Sequence, residues 1–224
     1  MPTLEIKRIS LFLPLYLGRV NCYLIRLSDG FALIDSGPRC QRRALMNALR
    51  KAGVTPGRLK LILLTHGDFD HAGNAAFVQR QLGGKIALHP NELPRIASRD
   101  MTRRRRGIPG IAHPFLPIIY RFDTEDVFVP DISLTDSMDL TLSGFPGSVI
   151  ALPGHTDGSV GFLTAAGDLF CGDLLVSRGR VELNGLLDDP VAANESLRRV
   201  RKLSLRTIYT GHGRSFQAEE LQKK

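Results

Sequence analysis

Short apolar runs alternate with polar turns along almost the whole chain, and this pattern predicts a mixture of strands and helices. Apolar runs bounded by Gly, Pro, Asp or Ser are typical of strands, whereas apolar residues spaced three and four apart are typical of helices. Residues 28–30, Ser-Asp-Gly, add a hairpin signal. The predicted strands are 4–13, 20–27, 31–34, 58–65, 85–89, 140–142, 149–152, 161–164, 169–171 and 207–210, and the predicted helices are 41–52, 75–82, 191–203 and 217–224, with a short one beginning at Pro90.

The order of strands, polar turn and helix recurs in both halves of the chain. This recurrence predicts an α+β fold in which two mixed β-sheets pack face to face with the helices outside. We expect a single domain, 1–224, built from two pseudo-repeated halves that cross near 99–130. Within the crossing, the prolines of segment 108–120 disfavour a regular helix although the segment is apolar. The segment is either a lid that faces the substrate or the connection between the halves, and the two do not exclude each other.

Composition narrows the classes of function. The chain has 224 residues, of which 43% are hydrophobic and 23% charged, as in a globular protein with a sizeable core. Trp is absent and aromatic residues make up 7%, so little is available for stacking on bases or sugars. The net charge of +8 comes largely from Arg103–Arg106 and from 198–202. A solvated face explains these runs most simply, and attraction of an anionic substrate, nucleic acid or membrane surface is the alternative.

The cysteines and the N-terminus predict a cytoplasmic protein. The three Cys are odd in number and lack CxxC spacing, and Cys22 and Cys171 lie in apolar strand contexts, so buried free thiols in a reducing compartment are expected. Residues 1–17 lack the features of a signal peptide. No apolar run reaches the ~18 residues that span a bilayer. The sequence leaves the oligomeric state open, with a homodimer as one option.

The densest cluster of polar residues with catalytic potential is Thr65–His71, which follows an apolar strand and precedes a helical pattern. In an extended loop His66 and Asp68 point the same way, whereas the adjacent Asp70 and His71 point apart. One ion could not easily take all four side chains, but two neighbouring ions could. The alternative is a loop that caps the helix through Asp68 or Asp70, which leaves both His and one Asp unexplained.

An apolar strand followed closely by His or Asp recurs at other strand ends. Glycines beside these turns allow the backbone to pass close to a crowded site. Four of the six His residues lie in such turns, and side chains at the ends of neighbouring strands can converge. The set therefore predicts a metal site, to which the other strand ends contribute Asp35, His155, Asp173 and His212.

The order and spacing of these residues resemble the metallo-β-lactamase superfamily over nearly the whole chain. The resemblance implies a four-layer αβ/βα sandwich with a dinuclear metal site at one edge, between the sheets. It implies that His66, Asp68 and His155 hold one ion and that Asp70, His71 and His212 hold the other. Asp173 would bridge the two ions, and Asp35 would orient the ligands. The residues that carry the resemblance are Asp35, His66-Gly67-Asp68-Phe69-Asp70-His71, His155, Asp173 and His212.

The chain departs from the family pattern at one position. The usual loop is His-x-His-x-Asp-His, and Asp68 stands where the second His is expected. Because Asp is shorter, the first ion must move towards the loop or a water must fill the gap. The added carboxylate lowers the charge of a two-ion site from about +1 to about zero and weakens the acidification of bound water. Zinc is still favoured, but Asp68 makes manganese or iron an alternative.

These residues predict a hydrolase in which a metal-bound hydroxide attacks an ester-like carbon. The short chain resembles the glyoxalase II, lactonase and thioesterase branch, which implies a small-molecule thioester, lactone or related carboxylic ester as substrate. The resemblance also suggests that Asp70 passes a proton to the leaving group. Arg178 and Arg180 are candidates to meet a substrate carboxylate, and solvated loop arginines are the alternative.

Two other classes of activity remain open. A phosphodiesterase or nuclease would suit the basic charge, although the added domain expected of family nucleases is lacking, so nucleic acid is the less favoured substrate. An iron-dependent, non-hydrolytic oxygenase of the sulfur dioxygenase kind would use the same fold. A β-lactamase is disfavoured because no export signal is found.

Overall fold

A six-stranded mixed sheet dominates the first half of the computed structural model, which describes residues 4–13, 18–99 and 123–222. Its strands neighbour one another in chain order. The first three pair antiparallel, and the remaining ones pair parallel. The hairpin predicted at 28–30 joins the second and third strands. The strands are β1 (Ile6–Phe12), β2 (Arg19–Arg26), β3 (Phe31–Ile34), β4 (Leu59–Leu63), β5 (Lys85–Leu88) and β6 (Ile132–Ser133).

The second half contributes a five-stranded and a three-stranded sheet. Its strands are β7 (Gly147–Ala151), β8 (Val160–Thr164), β9 (Asp168–Phe170), β10 (Leu175–Ser177), β11 (Val181–Leu183), β12 (Thr207–Tyr209), β13 (His212–Gly213) and β14 (Phe216–Gln217). The larger of these, which we call the second sheet, has the order β14-β12-β9-β8-β7, with β9 and β12 parallel. In the smaller sheet β10 lies between β11 and β13.

Three buried clusters define the layers of the molecule. Successive strand residues face opposite sides, so Leu33 packs in one cluster with Leu45 of a helix, while Ile34 packs in another with Phe162 of the second sheet. The third cluster packs Val200 of a helix against the far side of the second sheet. The helices are α1 (Arg42–Lys51), α2 (Phe69–Ala72), α3 (Ala75–Leu82), α4 (Leu93–Ser98), α5 (Pro190–Arg201) and α6 (Glu219–Gln222). This arrangement confirms the α+β fold, with two mixed sheets packed face to face and helices outside.

The strand expected at 140–142 is wrong. Thr141–Ser143 forms a 3₁₀ turn that ends at Gly144, whose φ is +92°. The Asp139 side chain accepts a hydrogen bond from the Thr141 N–H at 2.8 Å, and the Leu142 side chain is fully exposed. Alternating apolar residues in the sequence therefore reflect a turn here and not a half-buried strand.

Two other expectations need adjustment or fall outside the described residues. The C-terminal helix was expected to begin at residue 217 and begins at Glu219, because β14 occupies residues 216–217. The Arg103–Arg106 run, segment 108–120 and most of the predicted crossing lie outside the described residues. Within the described ranges, no helix has both the length and the apolar character that crossing a bilayer requires.

Candidate metal centre

The predicted site residues follow strands that end at one edge of the two sheets. Asp35 comes directly after β3, and the loop 65–71 follows β4. His155 lies between β7 and β8, Asp173 follows β9, and His212 begins β13. Rigid sheets thus position loops that bear polar side chains, which is a common construction for functional sites.

His66, Asp68 and His155 converge on one point, and we call these three residues the first donor set. The Asp68 Oδ2 atom lies 3.1 Å from His155 Nε2 and 3.5 Å from His66 Nε2. Asp173 Oδ2 lies 3.7 Å from His155 Nε2. The Asp68 carboxylate therefore lies close to both imidazoles, and the expectation that its shorter side chain draws the ion towards the loop or leaves room for a water stays a prediction.

Asp70, His71 and His212 form a second donor set on the other side of Asp173. His212 Nε2 lies 3.4 Å from Asp70 Oδ2 and 3.2 Å from Asp173 Oδ2. His71 Nε2 lies 3.3 Å from Asp173 Oδ1 and 4.0 Å from Asp70 Oδ2. Asp173 thus stands between the two sets and offers oxygen atoms to both.

The spacing and burial of these donor atoms suit divalent ions. Two ligands bound to one tetrahedral zinc at ~2.0–2.1 Å lie about 3.3 Å apart, close to the distances within each donor set. The buried His66 Nε2, His71 Nε2 and Asp173 Oδ1 atoms form no hydrogen bond with any described residue. Buried polar atoms are costly without a partner, and a cation would satisfy all three.

The four His side chains are oriented through the nitrogen that faces away from the donor sets. Each Nδ1 lies within hydrogen-bond distance of an oxygen, which directs Nε2 to the centre of the site. The tautomers follow from these partners, since hydrogens are assigned from the hydrogen-bond network. The partners are Thr65 Oγ1 for His66 (3.0 Å), Asp35 Oδ2 for His71 (2.8 Å), the Leu186 carbonyl for His155 (2.7 Å) and the Arg19 carbonyl for His212 (2.8 Å).

Asp35 connects the two donor sets through the start of the loop. Besides facing His71, its carboxylate accepts hydrogen bonds from the Thr65 N–H and hydroxyl, each at 2.9 Å. Its backbone has a φ of +57°, a left-handed conformation that Asp tolerates better than most residues. The structure therefore places Asp35 behind the ligand loop, where the sequence predicted an orienting residue.

Opposite charges shift the protonation of the buried site residues. Burial disfavours a charged imidazole, but the carboxylates of Asp173 and Asp70 outweigh it and raise the pKa of His212 to about 10. Burial also opposes a charged His71, yet Asp173, Asp35 and Asp70 hold its pKa well above the usual value. The pKa of Asp173 is well below its usual value despite burial, because His212 and His71 lie beside it. Metal ions would compete with protons for these nitrogens.

Three polar residues near the donor sets were missed by sequence reasoning. The Asn184 amide donates to Asp173 Oδ2 at 3.1 Å, and Arg95 Nη1 lies 3.5 Å from Asp68 Oδ1. Glu92, one helical turn before Arg95, is 1% exposed. The sequence signal for Glu92 and Arg95 was their spacing of three residues, which is also common for ion pairs on solvated helices.

Arg178 and Arg180 lie apart from these contacts. Both are exposed, and Arg180 Nε donates to Glu182 Oε2 at 2.6 Å. In the described part of the chain neither guanidinium pairs with a donor-set residue. Their role with substrate stays a prediction.

A further acidic group at the turn 123–126 has cationic partners. Asp123, Glu125 and Asp126 lie close enough together to hold an ion, but Arg39 pairs with all three carboxylates. Arg42 pairs with Glu125 and Asp126 as well. We interpret this group as an ion-pair network between α1 and the turn.

A sandwich of two mixed sheets with His and Asp donors at one edge is the architecture of a class of metal-dependent enzymes. The family model of the metallo-β-lactamase superfamily matches residues 15–212. The chain therefore belongs to the metallo-β-lactamase superfamily, as its sequence predicted, and it is a metallo-hydrolase of that family.

Relatives and solved structures agree with this assignment. The chain is 30% identical over 172 residues to the hydroxyacylglutathione hydrolase GloC of Haemophilus influenzae, covering 75% of this chain and 72% of that protein. The metallo-β-lactamase family protein TTHA1429 of Thermus thermophilus is similar with a TM-score of 0.75 and 26% identity, over 97% of this chain and 78% of that one. TTHA1623, solved in a di-iron-bound form, has a TM-score of 0.73 and 27% identity over 97% of both chains.

Proposed function

We propose that this protein hydrolyses a thioester, lactone or related carboxylic ester of a small molecule with two divalent metal ions. The first donor set would hold one ion and the second donor set the other, with Asp173 between them. The single observation that carries this proposal is the placement of Asp173, whose oxygens lie 3.2–3.7 Å from His212, His71 and His155.

A pair of divalent ions supplies Lewis acidity and acidifies bound water, so no Ser or Cys nucleophile is required. The chain's own part is to fix the ligands and to move protons. Asp35 and Thr65 keep His71 and His66 in the orientation that leaves Nε2 available. Asp70, whose pKa stays below its usual value beside His71 and His212 although burial raises it, is ionised and can accept a proton and pass it to the leaving group.

Similarity to GloC supports a thioester over the other ester classes, because that relative is a hydroxyacylglutathione hydrolase. The donor atoms, imidazole and carboxylate, suit zinc, and the third carboxylate, Asp68, also suits iron or manganese. Because TTHA1623 was solved in a di-iron-bound form, the test of this protein includes iron.

The test is metal analysis of the purified protein, followed by turnover of a panel of thioester, lactone, carboxylic ester and phosphodiester substrates with each metal. We expect about two ions per chain and turnover of a thioester or ester. His71→Ala and Asp173→Ala should each lower kcat by several orders of magnitude, since removal of a ligand disrupts the activated water.

Circular dichroism of both variants would control for the fold. Undiminished turnover in both variants would contradict the proposal. Cleavage of phosphodiesters alone would assign the site to a phosphodiesterase, and oxygen uptake with iron as the only native metal would assign it to an oxygenase.

A further inference from the structure

Glu92 and Arg95 lie behind the first donor set, at the beginning of α4. The two residues are separated by one helical turn, so their side chains lie on the same face. The Glu92 side chain is 1% exposed and the Arg95 side chain 12% exposed. Charged side chains are rarely buried to this extent unless they are paired.

The two oxygens of the Asp68 carboxylate face different partners, Arg95 on one side and two imidazoles on the other. Arg95 Nη1 lies 3.5 Å from Asp68 Oδ1. The other oxygen, Oδ2, faces the Nε2 atoms of His66 and His155. The guanidinium lies on the Oδ1 side of the carboxylate, and Oδ2 faces the centre of the first donor set.

The same guanidinium reaches the loop that carries His155. Arg95 Nη2 donates to Asp188 Oδ2 at 2.5 Å. The backbone N–H of Asp188 in turn donates to the carbonyl of His155 at 3.2 Å. Arg95 therefore contacts one ligand of the first donor set directly and holds the backbone of another through Asp188.

Glu92 joins the same two loops through their backbones. Its Oε2 atom accepts a hydrogen bond from the Gly67 N–H at 2.7 Å, and Oε1 accepts one from the Gly158 N–H at 2.9 Å. A Cβ at Gly67 or Gly158 would lie 2.9 or 2.7 Å from the carboxylate, so both positions suit glycine. Glu92 thus fixes the distance between the loop of His66 and Asp68 and the loop of His155.

Arg95 is a cation that faces three buried carboxylates. Its Nε lies 3.6 Å from Glu92 Oε2, in addition to the contacts with Asp68 and Asp188, and a guanidinium stays charged in proteins. Removing one partner of a buried ion pair is strongly destabilising, because it leaves the other charge uncompensated. Loss of Arg95 would remove this cation from beside Asp68, Glu92 and Asp188.

We propose that Arg95 is a positioning residue that allows Asp68 to serve as a metal ligand where the family usually has His. It holds Oδ1, so that Oδ2 points to the ion, and its charge offsets the carboxylate that Asp68 adds to the site. This inference rests on the proposed two-ion function. It implies that the effect of removing Arg95 on metal binding depends on the residue at position 68, since a His there has no carboxylate for Arg95 to hold.

The test measures zinc affinity by competition with a chromophoric chelator, and the zinc retained per chain after dialysis. We expect Arg95→Ala to weaken the ion of the first donor set by about 10–100-fold, the range found for partners that orient metal ligands. Retained zinc should fall from about two ions per chain to about one. Arg95→Lys should lie between, because the charge remains but the forked contact with Asp68 and Asp188 is lost.

The decisive comparison is a double-mutant cycle with Asp68→His. In the Asp68→His background, Arg95→Ala should weaken zinc affinity by a smaller factor than in the Asp68 background, because the contact through Asp188 to the His155 loop is lost in both and the contact with Asp68 is lost in one only. Arg42→Ala is the matched control, because Arg42 is also a partly buried arginine, 19% exposed, paired with the buried Asp126 outside the donor sets. This control should leave zinc affinity unchanged.

Equal zinc affinity of Arg95→Ala and wild type overturns the inference and leaves the proposed function intact. An equal loss in both backgrounds also overturns it, because Arg95 would then act on general structure. Absence of zinc, iron and manganese binding by the wild-type protein would overturn the proposed function itself and the inference with it. Thermal melting of each variant in EDTA checks that it folds without metal. If Arg95→Ala does not fold, the double-mutant cycle with Asp68→His is measured with Arg95→Lys instead.

Discussion

Gly211 lies where the backbone passes closest to the candidate metal centre. A Cβ at this position would lie 2.1 Å from Asp173 Oδ1 and 2.6 Å from His71 Cε1. We therefore expect Gly211→Ala to displace the Asp173 carboxylate from its place between the donor sets. A displacement of about 1 Å at a catalytic centre can cost about 100-fold in rate, so kcat should fall by at least that factor and zinc retention should drop.

Gly185 provides the control for this substitution. A Cβ there meets no heavy atom within 4 Å, and its φ lies outside the left-handed range. Gly185→Ala should leave kcat and metal content close to wild type. If Gly211→Ala retained full activity with two bound ions, Asp173 would not need the position that the structure gives it.

The sequence predicted those site residues that can be recognised from their residue type and their position after a strand, without knowledge of their contacts. His66, His71 and His212 are imidazoles that follow apolar strands within a few residues, and side chains at the ends of neighbouring strands can converge. Arg95 and Glu92 could not be predicted in the same way, because a charged pair one turn apart most often faces solvent. Their burial depends on where α4 packs against the first donor set, which only the structure shows.

Helix α5 carries its own start signal, which is separate from the metal chemistry. The Asp189 carboxylate accepts hydrogen bonds from the Val191 N–H at 2.8 Å and the Ala192 N–H at 3.1 Å, and Pro190 follows as the first helical residue. Replacement of an N-cap Asp by Ala typically costs ~0.5–2 kcal/mol. We expect Asp189→Ala to lower the free energy of unfolding by about 1 kcal/mol in urea titrations.

Asp189→Asn is the conservative comparison, since Asn caps helices about as well as Asp. Its free energy of unfolding should stay within a few tenths of a kcal/mol of wild type. Both variants should retain their metal content. Equal stability of Asp189→Ala and Asp189→Asn would show that the two hydrogen bonds do not contribute to folding.

Longer elements could be predicted from periodicity, but the shortest could not. Helix α5 was expected at 191–203 and occupies Pro190–Arg201, because its apolar residues recur at helical spacing over several turns. By contrast, β10, β11 and β13 have two or three residues each and were not predicted. Strands of this length have no period of their own and exist because a neighbouring strand pairs with them.

At the scale of the whole molecule, the layers of the sandwich predict which cysteines can react. Cys22 lies in the cluster between the first sheet and its helices, and Cys171 lies between the second sheet and α5. Burial, with a smaller contribution from Asp173, raises the pKa of the Cys171 thiol to about 12, and burial followed by Asp35 and Asp70 raises that of Cys22 well above its ordinary value. Cys40 is exposed.

We therefore expect a thiol reagent at about pH 8 to label one cysteine in the folded protein and three after denaturation, because the thiolate is the reactive form and only Cys40 is accessible. Cys40→Ser should abolish labelling of the folded protein. The raised pKa of Cys171 favours the neutral thiol in the native state, so its contribution to stability is complete below pH ~8.5 and is lost as the pH rises towards about 12. Rapid native labelling of Cys171 would contradict the packing of α5 against the second sheet, since the thiol becomes accessible only if these two layers separate.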